Sequence, residues 1–170
     1  MNIDRQILTQ ALDAMVTSRW LFLILGLATW LALATCSYAL SLDIRGVTFR
    51  SGHPFPAEDL QTALAEATDA SGKSIDQLTL LTYDVEILKR NPSVRISVTG
   101  HTDTDECGDR ECLELSLRRA QLVWGYLVGN GVEASRIDPP RGFGASLPIA
   151  LNDSEASRQQ NRRADVNVSN

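Results

Sequence analysis

Two residues of opposite charge, Asp103 and Arg119, flank one polar loop of the chain. A carboxylate can pair with an ammonium group, whereas the planar guanidinium fork can hold a carboxylate through two parallel charge-assisted hydrogen bonds. If both side chains enter one pocket, the pair is suited to a small zwitterion. The alternative is that Asp103 and Arg119 form a salt bridge with each other or cap the helix that follows.

The elements on either side of the loop are predicted to bring these two residues together. Val94, Ile96 and Val98 alternate with polar residues, which is the pattern of a strand with one buried face. The strand is predicted to end at Gly100, so the residues after it emerge at its carboxyl end, where α/β sheets commonly bind ligands. A helix is predicted to follow, because apolar residues recur at helical spacing at Leu113, Leu117, Ala120, Trp124 and Leu127.

The other predicted elements surround this strand and helix. Gly131 is suited to the left-handed position that ends the long helix. Pro139 and Pro140 lack N–H donors, so the strand around them is expected at a sheet edge. The remaining predictions are strands over Leu42–Phe49 and Ala164–Val168, helices over Pro56–Ala67, Ile75–Asn91 and Glu155–Gln160, and a flexible connection over Ala67–Ser74.

Five segments in order, GHTD, LSLRRA, GVEASRI, GFGASLPIALN and RQQNRRADVNV, resemble the OmpA-like C-terminal domain of OmpA, the Pal lipoprotein and MotB. The resemblance covers about residues 43 to 170 and implies an α+β fold, a βαβαββ-type sandwich of helices on a mixed sheet. In that family the aspartate of GHTD and the arginine of LSxxRA hold the meso-diaminopimelate of the peptidoglycan stem peptide. The matching positions are Asp103 and Arg119, with Thr102 beside them.

The resemblance also implies a pocket rim. Ser51 and Gly52 belong to an FxSG turn that borders the ligand in the family. Arg50 stands where many members have aspartate, so this wall is expected to be more positive than usual. Arg158 opens the RxxNRR block and is expected either to reach outer ligand groups or to form a structural salt bridge. Cys112 occupies the place of an asparagine that commonly helps to hold the ligand or the loop.

Cys107 and Cys112 lie in the loop between Asp103 and Arg119. A peptidoglycan-binding domain works in an oxidising compartment, where two cysteines this close in one loop favour a disulfide over free thiols. The disulfide is predicted to fix the rim of the pocket.

An uncharged segment, Trp20 to Leu42, precedes the domain and is long enough to cross a bilayer. The predicted organisation is a cytoplasmic tail over residues 1–19, a transmembrane helix or signal anchor over 20–42 and a periplasmic domain over 43–170. Two alternatives stay open: cleavage after Ala39, and lipidation of Cys36 as in a Pal-like lipoprotein. The inner membrane is favoured and the outer membrane is the alternative.

Composition limits the classes of function. The formal charge of −5 and the lack of a basic run argue against nucleic acid as a partner. An enzyme built on His101, Asp103 and a cysteine is disfavoured, because the chain has only one other histidine and no paired metal ligands at usual spacing. Neither a metal nor a cofactor is expected.

A stator-like subunit of an envelope complex is a further alternative. The segment 20–42 contains no acidic residue, so such a subunit would not be proton-coupled itself. The expected partners are peptidoglycan and the lipid bilayer, with other envelope proteins or a second copy of the chain as further candidates.

Overall fold

The computed structural model describes residues 42, 44–69 and 71–169, and the chain from Leu42 onward forms one compact unit. A 3-10 turn over Ala134–Arg136 precedes the fifth strand. In chain order the elements are β1 (Val47–Thr48), α1 (Leu60–Ala63), β2 (Ala67–Thr68), β3 (Ser74–Ile75), α2 (Gln77–Arg90), β4 (Arg95–Gly100), α3 (Asp109–Gly129), β5 (Arg141–Gly142), α4 (Glu155–Asn161) and β6 (Arg163–Ser169).

A mixed sheet of four strands forms the centre of the unit, in the order β1-β6-β4-β5. Strand β4 is antiparallel to β6, with register pairs from Arg95–Ser169 to Gly100–Ala164, and parallel to β5. Ile96 and Val98 are fully buried, as the alternation in β4 predicts. The two prolines directly before β5 leave it as a short edge strand.

Helix α3 packs closely on the carboxyl end of β4. A Cβ atom on Gly100 would lie 1.8 Å from the carbonyl oxygen of Ser116, and one on Gly142 would lie 2.4 Å from the Ser116 hydroxyl. Only glycine allows this approach, because any larger residue would push the helix away from the sheet. The contact therefore sets the position of Arg119 relative to the end of β4.

Helix α2 covers the core with Leu81, Val85 and Leu88. Asp76 caps its first turn by accepting from the backbone N–H of Leu78 at 3.1 Å. The helix ends at Arg90, one residue before the predicted Asn-Pro stop. The left-handed Gly131, with φ of 96°, follows α3 as predicted.

Two predictions for residues 56–74 are wrong. The helix expected over Pro56–Ala67 is a single turn, α1, which begins after its cap Asp59. Leu64 then forms a β-bridge with Phe49, so the chain turns back to the sheet instead of continuing as helix. The expected flexible connection contains the antiparallel pair β2–β3.

The tail over residues 1–19 and the apolar segment 20–42, apart from Leu42, lie outside the described residues. Within the part of the chain that the structure describes, no helix is both long enough and apolar enough to span a bilayer.

Candidate functional site

Asp103 lies just beyond β4, buried with 1% of its surface exposed. Its Oδ2 accepts from Arg162 Nη1 at 2.6 Å. Its Oδ1 accepts from the backbone N–H groups of Asp105 at 2.7 Å and Glu106 at 2.9 Å. These contacts satisfy the carboxylate and fold the loop after β4 into a tight turn around it.

Arg119 is fully buried, and all five of its N–H donors have partners. Nη1 and Nη2 donate to the two carboxylate oxygens of Glu106 at 2.6 and 2.7 Å. The other three donors reach the backbone carbonyls of His53 at 2.8 Å, His101 at 2.8 Å and Arg50 at 3.3 Å. This is the bidentate geometry in which arginine holds a carboxylate.

Glu106 is the centre of this cluster. Besides both Arg119 contacts, its Oε2 accepts from the backbone N–H of Gly52 at 2.9 Å and its Oε1 from that of Asp103 at 3.1 Å. Its side chain has no exposed surface. The guanidinium of Arg119 and these two N–H groups form a carboxylate seat, and Glu106 occupies it.

Arg162 holds Asp103 from the other side. It is 3% exposed, and its second Nη donates to Glu155 at 2.5 Å. Burial lowers the pKa of Arg162, but hydrogen bonds and charges from Glu155 and Asp103 raise it overall above its ordinary value. The same hydrogen bond between Arg162 and Glu155 lowers the pKa of Glu155 below its ordinary value. Both residues of the pair are therefore charged at neutral pH.

The structure brings Asp103 and Arg119 into one cluster but gives them different partners. Asp103 pairs with Arg162, and Arg119 pairs with Glu106. The expected alternative of a direct salt bridge between Asp103 and Arg119 is therefore wrong. Glu106 links them, because its carboxylate contacts both the backbone N–H of Asp103 and the guanidinium of Arg119.

The other predicted site residues surround this cluster. Thr102 is buried, its N–H donates to the Gly144 carbonyl, and its hydroxyl is among the buried polar atoms without a partner in the described chain. Gly52 supplies an N–H to the seat, whereas Ser51 is exposed. Arg158 is one quarter exposed and lies 3.3 Å from Glu155 and 3.4 Å from Asp105, so its structural salt bridges are present.

Arg50 does not make the rim as positive as expected. Its guanidinium forms an ion pair with Glu58 at 3.2 Å and donates to the carbonyl of Thr62. Glu58 also contacts His53 Nδ1 at 2.8 Å. The extra positive charge is thus neutralised by Glu58, which lies eight residues further along the chain.

Cys107 and Cys112 form the predicted disulfide, with their α-carbons 5.2 Å apart. The bridge joins the residue after Glu106 to the first turn of α3, the helix that carries Arg119. Because both sulfurs are bonded, neither cysteine offers a thiolate, which removes the nucleophile from the alternative of a cysteine enzyme.

An open groove of about 520 Å³ borders the disulfide. Thr104, Leu113, Phe143 and Ser146 contribute to its walls. Thr104 and Cys107, which flank Glu106 in the loop, also line this groove, whereas Asp103, Glu106 and Arg119 do not.

His101 is a buried base directly beside the cluster. Its ring stacks on Phe143 with centroids 5.6 Å apart, and its Nε2 lies 3.4 Å from Asp165. Burial, reinforced by the positive charge of Arg163, lowers the pKa of His101 to about 4, although Asp165 opposes the shift. The imidazole is therefore neutral at physiological pH.

Sequence reasoning missed the roles of Glu106 and Arg162. Glu106 is one of several acids in the loop, and its only distinguishing signal was its place directly before Cys107. Arg162 lies in the RxxNRR block that Arg158 opens, but nothing in that spacing indicates Asp103 as its partner.

The fold and the cluster define a class: a small α+β domain with an acid and an arginine held together where β4 meets α3. The family model described as OmpA family matches residues 76–162. A peptidoglycan-associated lipoprotein of Mesorhizobium japonicum is 31% identical over 156 residues, covering 85% of this chain and 90% of the lipoprotein. The chain belongs to the OmpA family.

Two further comparisons agree with this membership. The crystal structure of the peptidoglycan-associated lipoprotein from Burkholderia pseudomallei superimposes with a TM-score of 0.56 at 28% identity, over 74% of this chain and 90% of that one. The peptidoglycan-binding protein ArfA of Mycobacterium tuberculosis is 34% identical over 123 residues, which are 66% of this chain. The chain spans well under half the length of several curated relatives that it matches, for example 36% of the length of ArfA.

Proposed function

We propose that residues 43–170 bind the meso-diaminopimelate stem peptide of peptidoglycan without covalent chemistry, and that the protein tethers a membrane to the cell wall. The observation that carries the proposal is the seat at Arg119, which holds a carboxylate by two parallel hydrogen bonds and two backbone N–H groups. Diaminopimelate has carboxylates for such a seat and an ammonium group for Asp103.

Asp103 supports the ammonium half of this proposal. Among the described residues, three donors reach its oxygens, and an ionised carboxylate has about four acceptor positions, which leaves one for a ligand ammonium. Two relatives bear names that state association with or binding to peptidoglycan, which favours the same ligand class for this chain.

Membrane attachment is the second part of the proposal. The uncharged segment Trp20–Leu42 supports it, since its length at about 1.5 Å per helical residue exceeds the ~30 Å hydrocarbon core. Peptidoglycan as ligand would place the domain in the periplasm and residues 1–19 in the cytoplasm. Cleavage after Ala39 and lipidation of Cys36 are the competing forms of the N-terminal segment.

Co-sedimentation of the full-length protein in detergent with insoluble peptidoglycan tests the ligand. We expect the protein to pellet with diaminopimelate-type peptidoglycan and much less with lysine-type peptidoglycan, because lysine lacks the second carboxylate. Asp103→Asn removes the charge that would hold the ammonium, and Arg119→Lys removes the bidentate fork, so both should abolish pelleting, since disrupting one partner of a desolvated charge pair costs about 2–5 kcal/mol.

The matched controls are Asp138→Asn and Arg95→Lys. These two residues form an ion pair at 3.0 Å at the start of β4, with side chains 34% and 54% exposed, so their substitution should leave pelleting unchanged. Circular dichroism verifies that each variant is folded. Wild-type pelleting by folded Asp103→Asn and Arg119→Lys would refute the assignment.

A further inference from the structure

We propose that Glu106 is an internal gate: its carboxylate closes the seat at Arg119, and a ligand carboxylate binds there only by displacing it. This inference rests on the proposed function and concerns how the same site is regulated. It assigns to a loop residue of this chain a role in setting affinity that is separate from contact with the ligand.

The first step is that the seat is closed. Arg119 is fully buried, the side chain of Glu106 has no exposed surface, and Asp103 is 1% exposed. A peptidoglycan carboxylate therefore has no path to the guanidinium while Glu106 is in place.

The second step is that Glu106 is the only exchangeable partner among the five acceptors of Arg119. Three donors go to backbone carbonyls of Arg50, His53 and His101, which are fixed by the turn after β1 and by the end of β4. The remaining two go to Glu106. A carboxylate from outside could take over those two bonds, and the backbone N–H groups of Gly52 and Asp103, without disturbing the rest.

The third step concerns the cost of opening. An arginine left buried without its carboxylate is strongly destabilising, because its charge is then uncompensated, so Glu106 is not expected to leave an empty seat behind. Exchange with a second carboxylate avoids that cost, because the guanidinium stays paired. The closed form then lowers the apparent affinity of the ligand by the ratio of closed to open protein.

The loop around Glu106 is suited to such an exchange. Glu106 lies outside both β4 and α3, and its neighbours Thr104 and Asp105 are exposed. The disulfide anchors Cys107 to Cys112 at the first turn of α3, so the Glu106 side chain can rotate outward while the loop stays attached to the helix.

A purely structural role for the Glu106–Arg119 salt bridge predicts the opposite effect on ligand binding from a gate. If Glu106 only positions Arg119, its removal leaves the guanidinium misplaced and weakens binding of the ligand. If Glu106 competes with the ligand, its neutralisation strengthens binding even though the fold becomes less stable.

Isothermal titration of the full-length protein in detergent separates these cases. The probe is a soluble disaccharide-tetrapeptide released from diaminopimelate-type peptidoglycan. We expect Glu106→Gln to lower the Kd at least about tenfold, equivalent to ~1.4 kcal/mol, because a neutral amide competes poorly for Arg119. Glu114→Gln is the matched control: its side chain is 60% exposed on α3, and its Kd should equal that of the wild type.

Glu106→Asp keeps the charge on a shorter side chain and covers the case in which Glu106→Gln does not fold. It should lower the Kd by a smaller factor. An unchanged or higher Kd in the folded variants, with measurable wild-type binding, overturns the gate and leaves the proposed function intact. Absence of binding by the wild type and by every folded variant refutes the proposed function itself.

Acetate provides a test of the seat that does not depend on peptidoglycan. Glu106→Ala leaves a carboxylate-sized space next to Arg119, so acetate should raise its Tm relative to chloride at equal ionic strength. Wild type and Glu114→Ala should show no such rise. Equal responses of all three proteins would show that no exchangeable seat exists and would overturn the gate.

Discussion

At the scale of single residues, the site is a network of buried charges in which each carboxylate has its own arginine. Asp103 pairs with Arg162, and Glu106 pairs with Arg119, each at 2.6 Å. Buried ion pairs contribute little net stability compared with apolar residues of the same size, but removal of one partner is costly. The two pairs are therefore better explained by the chemistry of the site than by stability of the core.

His101 gives the first prediction at this scale. The folded protein keeps His101 neutral down to pH about 4, whereas an unfolded chain protonates histidine near pH 6.5. Between these values the unfolded state binds more protons, so the free energy of unfolding should fall as the pH is lowered from 6.5 to 4.

Urea unfolding at pH 7, 5.5 and 4.5 measures this dependence, and His101→Gln supplies the comparison. In that pH range the free energy of unfolding of the variant should depend less steeply on pH than that of the wild type, since glutamine does not titrate. Glu58 and Glu155, whose pKa values are lowered, lose their stabilising contribution at still lower pH in both proteins, so their effect cancels in the difference. Identical slopes would mean that His101 titrates normally.

The residues of the site were only partly predictable. Strand and helix periodicity places Asp103 and Arg119 near each other, because both follow from local pattern. The choice of partners depends on how residues 103–108 fold back and on where β6 begins, and neither has a periodic signal. The pairing of Glu106 with Arg119 and of Arg162 with Asp103 therefore cannot be predicted from local sequence patterns.

At the scale of elements, the contact between β4 and α3 gives a second prediction. Gly100→Ala should destabilise the domain by about 3 kcal/mol or more, the upper end of overpacking costs, because the new Cβ would meet the Ser116 carbonyl at 1.8 Å. The helix would have to move, and Arg119 would move with it.

Gly125→Ala is the matched control for Gly100→Ala. Gly125 lies in the interior of α3, and a Cβ there meets nothing within 4 Å. Alanine is the better helix former, so this variant should gain about 0.5–1 kcal/mol. Urea unfolding of both variants decides the prediction, which fails if the two changes have the same sign and size.

The elements themselves were predictable where a local period is long enough. β4 and the region of α2 follow their apolar patterns, and Gly131 follows α3 as expected. Helix α3 forms where predicted, but the stripe predicted to be buried is partly wrong: Leu113 is 53% exposed, and the buried face instead includes Leu115 and Val123 beside Ala120 and Leu127. The helix over Pro56–Ala67 failed because pairing overrides propensity: Leu64 bridges to Phe49, and Ala67 pairs with Ile75. Such pairings join distant parts of the chain and cannot be predicted from the pattern of a short sequence segment.

At the scale of the whole molecule, the disulfide and the sheet contribute differently: the sheet and helices form the core, whereas the disulfide constrains one loop. The bridge closes a short loop, for which chain entropy gives only about 2 kcal/mol, whereas the apolar core of sheet and helices is continuous. The main consequence of the bridge is therefore local, since it attaches the loop carrying Glu106 to the helix carrying Arg119.

The last prediction concerns attachment to the membrane. Full-length protein should fractionate with membranes and resist extraction by alkaline carbonate, because the uncharged segment 20–42 is long enough to cross the bilayer. Leu27→Arg combined with Leu31→Arg should release it, since each arginine near the centre of a span costs about 2.5–3.5 kcal/mol. Glu114→Arg adds an arginine to the exposed face of α3 instead and should leave fractionation unchanged.

Orientation is tested on the same membranes. Protease added to spheroplasts should digest the domain over residues 43–170, because only a periplasmic domain can reach peptidoglycan. Mass spectrometry of the native N-terminus distinguishes an intact anchor from cleavage before Leu40 or a lipid on Cys36. Protection of the domain in intact spheroplasts, with digestion after lysis, would reverse the topology and exclude peptidoglycan as the ligand, whatever the affinity of the purified protein.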